Sequence, residues 1–63
     1  MHVYSAIDWL KDNISEVIEN YLVGDQASML LLSSFSEWCV DMSSENYCDL
    51  HNSVMFYKQA TSH

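Results

Sequence analysis

Between residues 6 and 23, apolar side chains recur at Ile7, Leu10, Ile14, Val17, Ile18 and Tyr21. Steps of three and four place them on one face of an α-helix, within an arc of about 100°. Asp8, Asp12, Glu16 and Glu19 fall on the opposite side. The start of this helix is marked. Ser5 stands three residues before Asp8, a capping box with Asp in place of Glu, and the carboxylate sits near the positive helix end. Tyr4 before the cap and Trp9 four positions after it have the spacing of a hydrophobic staple. Gly24, the only glycine in the chain, suits the left-handed position that closes a helix. The pattern predicts a first helix over about 6–23 and a turn at 24–25.

Asp25 can then cap a second helical segment, expected over 26–42. In "ASMLLLSSFSEWCVDM", residues 27–42, Leu31, Phe35, Trp38 and Met42 repeat at helical spacing. A short turn makes consecutive helices antiparallel neighbours, so this line is expected to face the first helix. Met29 and Val40 point to the far side, with Leu32 and Cys39 between. At residues 43–46, Ser43 or Ser44 offers a cap for a third segment. Neither Gly nor Pro is present there to forbid a continuous helix. Beyond it, Tyr47, Leu50, Val54 and Tyr57 form another line, with Cys48, Met55 and Phe56 off it. A helical segment over about 45–60 is expected.

One glycine and no proline leave little turn chemistry for a strand-rich fold. The expected class is all-α. It is read as a single domain: an antiparallel helical hairpin with a long or broken second helical segment, self-associating into a helical bundle. The self-association follows from surplus apolar surface. Met29, Leu32, Cys39, Val40, Met55 and Phe56 occur on segments that already carry complete core lines. Burying a Leu or Phe is worth about 1.5–3 kcal/mol. Three or four such groups would rival the whole stability expected of so small a domain. A homodimer is the leading expectation, since most oligomers are symmetric. A monomeric three-helix bundle and an obligate hetero-complex are the alternatives.

Charge narrows the partners. Nine Asp and Glu stand against two Lys and no Arg, a formal net charge of −7 in 63 residues. Binding to a phosphate backbone needs clustered cations, so direct nucleic-acid binding is not expected, nor is an anionic membrane surface. No apolar run is long enough to span a bilayer, and the N-terminal segment lacks a signal-peptide pattern. The expected location is cytoplasmic, with Cys39 and Cys48 reduced.

Candidate chemistry is sparse. Cys48 and His51 are three apart and share a helix face, and Cys39 and Asp49 are further donors. No CxxC or HxxxH pair accompanies them, so metal binding is the minor reading. Asp8, Asp12, Glu16 and Glu19 have no apolar pocket to split their pKa values and read as a solvated face. No nucleophile motif or phosphate loop is present. A non-enzymatic protein with no cofactor is expected. Trp9 beside the acidic row is the sharpest feature. With Tyr4, Asp8, Asp12 and Glu16 it would form an aromatic-acidic patch for a basic protein partner, since Trp is enriched at binding hot spots. The bland alternative is the staple with Tyr4.

The short, acidic, proline-free chain and the helix–Gly–Asp–helix layout of "AIDWLKDNISEVIENYLVGDQASMLLL" resemble the small early accessory proteins encoded in the exo–xis region of lambda-like temperate bacteriophages. The resemblance implies a helical, self-associating protein made early in infection. It implies a role in modulating host physiology or the choice between lysis and lysogeny, through contact with a host protein. An acidic DNA mimic that occupies a host DNA-binding protein is the alternative, as is a structural subunit of a larger complex. The resemblance assigns no functional residues.

Overall fold

A computed structural model describes residues 5–61 of the chain. They form three helices and no strand: α1 (Ala6–Leu22), α2 (Gln26–Val40) and α3 (Ser44–Thr61). The all-α class is what the structure has.

Each helix start is fixed by a local side chain. The Ser5 hydroxyl accepts from the Asp8 amide at 3.2 Å, and an Asp8 carboxylate oxygen accepts from the Ser5 amide at 3.2 Å. This is the reciprocal capping box. Asp25 accepts from the Ser28 amide at 2.9 Å and from the Ser28 hydroxyl at 2.8 Å. Ser43, rather than Ser44, caps α3, accepting from the Asn46 amide at 3.1 Å.

The helix ends differ in kind. After α1, Gly24 takes φ +88°. Its amide donates to the Tyr21 carbonyl and the Asp25 amide donates to the Asn20 carbonyl, at 3.0 and 2.9 Å. That pair of bonds is a Schellman motif, which only a residue tolerant of positive φ closes without strain. The end of α2 uses no glycine. Asp41 is extended, and the Asn46 side chain donates to its carbonyl at 2.8 Å. The second helix therefore stops at Val40, two residues short of the expected 42, and Met42 is 69% exposed in the link. Met42 does not extend the Leu31–Phe35–Trp38 line.

The core joins all three helices: Ala6, Leu10 and Val17 of α1, Ala27 and Leu31 of α2, and Leu50, Val54 and Tyr57 of α3. The more extensive pairing of α2 is with α3, not with α1 as its core line suggested. Ser34 and Ser53 hydrogen-bond at 2.7 Å, and Trp38 meets Tyr47 edge-on at 6.4 Å between ring centres. As residue numbers rise along α2 they fall along α3, so this pair is antiparallel. Ser28 is fully buried, with its hydroxyl held by Asp25. No buried side-chain polar atom among the described residues lacks a partner.

α1 is phased differently from its apolar pattern. Leu10 and Val17 are buried, but Ile18 and Tyr21 are 43% and 45% exposed. The buried line runs instead through Ala6, Leu10 and Val17. Trp9, Asn13 and Asn20, on the flank of that line, are partly buried. Two contacts explain the shift. Trp9 packs edge-on against Tyr57 with ring centres 5.6 Å apart, and the Asn20 amide donates to the Tyr57 hydroxyl at 2.6 Å. Tyr57 thus draws the Trp9–Asn20 flank of α1 toward α3.

Candidate functional site

Turning α1 toward α3 leaves the other edge of its apolar pattern uncovered, and that edge borders a groove. Ile7, Leu10, Lys11 and Ile14 of α1 line one wall; Phe35 and Trp38 of α2 line the other. The groove is open to solvent, has a volume of about 430 Å³, and is almost wholly apolar. Lys11 is its only charged lining residue. Phe35 and Trp38 stack at 6.5 Å with 24° between their planes, and Tyr47 of α3 backs Trp38 from behind. The aromatic wall is therefore braced from inside the fold. Open apolar clefts of this kind suit a ligand or partner surface that brings its own apolar groups.

A second, much smaller cleft of about 80 Å³ lies where the start of α1 meets α3. Trp9, His51, Met55 and Lys58 are among its lining residues. The Lys58 ammonium sits 6.0 Å from the centre of the Trp9 ring. At that separation the cation is at the outer limit of attraction by the ring face.

The aromatic-acidic patch expected around Trp9 is not assembled as drawn from the sequence. Tyr4 lies outside the described residues. Trp9 packs against the core through Tyr57 and has a cation, Lys58, beside it. Asp8 is engaged in the capping box. Asp12 and Glu16 are exposed. The residues expected to drive self-association are also divided. Met29, Cys39 and Val40 are exposed on α2, and Met55 and Phe56 on α3. Leu32 is partly buried against the core rather than free on the surface. Met55 lines the small cleft beside Trp9.

The acidity of Tyr57 is displaced. Burial pushes its phenol above the ordinary value of 10.0. The Glu16 and Asp25 carboxylates push the same way, opposed by hydrogen bonds from Asn20 and Ser28. The raised pKa keeps the hydroxyl protonated to higher pH than a free phenol, although the Asn20 bond on its own favours the ionised form. Cys48 and His51 gather no further donors: no group of three or more His, Cys, Asp or Glu placed to hold a metal ion occurs among the described residues. No described helix is long and apolar enough to cross a membrane.

Sequence reasoning missed the groove although its signal was present. Ile7, Ile14, Ile18 and Tyr21 form one line and Leu10 and Val17 a second, adjacent line, and at helical spacing the two merge into a single stripe. Comparison with protein families, with curated proteins and with solved structures returned no match to this chain.

Proposed function

We propose that this chain works by protein–protein contact rather than by chemistry, as a self-associating early phage accessory protein that modulates host physiology or the lysis–lysogeny choice. The observation that carries this reading is the groove itself: an uncovered apolar cleft of about 430 Å³ on so small a protein. Isolated exposed apolar residues are ordinary, whereas a contiguous apolar surface marks an interaction site. In this reading α1 and α2, joined by the Gly24–Asp25 turn, act as the hairpin of the assembly, with α3 as a brace.

The acidic surface supplies the second contact. Asp12, Glu16 and Glu19 are exposed on α1, on the side away from its buried line. With a net charge of −7 they favour encounter with a basic host protein. The test is quantitative affinity capture from host lysate, comparing the wild type with a combined Asp12→Asn, Glu16→Gln, Glu19→Gln variant. A specific host protein bound by the wild type and depleted by neutralising the row supports the reading. Indistinguishable capture by the two chains would refute it.

A further inference from the structure

Along α1, Ile7, Lys11, Ile14, Ile18 and Tyr21 follow one another at steps of four, three, four and three. That alternation is the pattern of a helix-packing seam, about 21 Å long at 1.5 Å per residue. At about 100° per residue, the seam lies on one flank of the Leu10–Val17 line, and Trp9 and Asn20 lie on the other. The Trp9–Asn20 flank is the one occupied by Tyr57 of α3. The seam faces outward at Lys11, Ile18 and Tyr21, while Ile7 and Ile14 are partly buried against the core and open only into the groove. Ile18, Tyr21 and, beside them, Leu22 are 43%, 45% and 75% exposed. It is continuous with the groove, because Ile7, Lys11 and Ile14 belong to both.

Charge decides what covers it. Lys11 is the only charged side chain on the seam and the only cation on α1; Asp8, Asp12, Glu16 and Glu19 lie off it. The complement of a lone lysine in an apolar line is an apolar helix with a carboxylate within side-chain reach, and α1 brings Glu19 next to Ile18. A basic partner would instead bring its cations against Lys11. We propose that a second copy of this chain covers the seam and groove, α1 packing antiparallel on the partner's α1 about a two-fold axis at Ile14. The proposal rests on the reading that the chain acts by self-association and protein contact. It assigns the face and the register.

Centring on Ile14 sets Ile7 against the partner's Tyr21 and Lys11 against the partner's Ile18, within reach of the partner's Glu19. The two-fold axis makes each such contact twice. The aromatic wall of Phe35 and Trp38 then borders the partner's seam. An interface of standard size covers about 800 Å² on each partner, under a fifth of the 4490 Å² that one chain exposes.

Sedimentation equilibrium over a hundredfold range of concentration tests this directly. The wild type is expected to pass from the 7.3 kDa mass of one chain to twice that mass. Ile18→Glu and Lys11→Glu each change an exposed residue. Both variants should keep the helical circular dichroism of the wild type while weakening dimerisation at least tenfold. Adding Glu19→Lys to Lys11→Glu exchanges the charges across the seam and should restore association. A wild type that stays at 7.3 kDa throughout overturns the proposal. So does a dimer untouched by either single variant, because its contact then lies elsewhere. Host capture is a separate readout: a single-copy chain that still captures its host protein overturns this inference and the self-association it rests on, and leaves the host-contact reading standing. A dimer that captures nothing overturns the host reading and leaves the seam standing.

Discussion

Tyr57→Phe removes one oxygen atom from the point where α3 grips α1. Tyr57 is 1% exposed, and its hydroxyl accepts from the Asn20 amide at 2.6 Å. The ring, with its edge-on contact to Trp9 at 5.6 Å, is retained in phenylalanine, so packing is conserved. The loss is chiefly the Asn20 hydrogen bond, worth about 0.5–1.5 kcal/mol net, with the weaker Ser28 contact to the same oxygen. Asn20 is partly exposed, so water can take up its stranded amide, and the expected loss is about 1 kcal/mol. Asn20→Ala should cost more, about 1–3 kcal/mol, because it takes its closest partner from a buried hydroxyl that water cannot reach. At roughly 0.05–0.15 kcal/mol per residue, a chain of this length is stable by only about 3–9 kcal/mol. A loss near 1 kcal/mol therefore lowers the melting temperature by about 4–8 °C. Urea titrations followed by circular dichroism, at one fixed protein concentration, give the four free energies of the cycle. A Tyr57→Phe change below about 0.3 kcal/mol, or additive single effects, would refute the claim that this bond joins the two helices.

Three further outcomes follow from the same geometry. Absorbance titration of the native protein should show a tyrosine phase ionising above the ordinary value of 10.0, and that phase should vanish in Tyr57→Phe. Because the folded pKa lies above the unfolded one, the associated stability is full below about pH 10 and declines as pH rises toward the folded value. Gly24→Ala meets no neighbour within 4 Å but must hold φ +88°, so it should cost about 1–2 kcal/mol in a urea titration without altering the helical spectrum. Asp25→Ala removes the acceptor of both the Ser28 amide and the fully buried Ser28 hydroxyl, and should cost about 2 kcal/mol; an effect equal to that of an exposed alanine substitution would contradict the capping geometry.

What the sequence displayed well is what the chain decides locally. Ser5 with Asp8, Asp25 with Ser28 and Ser43 with Asn46 are all contacts over three residues, and Gly24 answers a backbone requirement of its own position. What it hid depends on distant partners. Asn20 sits among partly buried positions because Tyr57, on another helix, needs its amide. Trp9 looked like a surface aromatic until Tyr57 occupied its flank. Ile18 and Tyr21 share the apolar phase of Leu10 and Val17, and periodicity cannot say how wide a strip the rest of the chain will cover. The end of α2 was placed two residues late for a related reason: its stop is a side chain, Asn46, reaching back across the link to Asp41. The groove was the casualty of these non-local choices, since its walls come from two helices and its openness from the turn of α1 toward the third.

Two small alcohols set the gauge of the whole molecule. Ser34 and Ser53 can touch at 2.7 Å only because neither carries bulk beyond a hydroxyl, so the axes of α2 and α3 run close where they meet. A methionine or leucine at either place would wedge the rods apart, and Trp38, propped from behind by Tyr47, would lose its footing. Sequence drift in this protein should therefore be generous at Leu30 or Phe56 and strict at two inconspicuous serines.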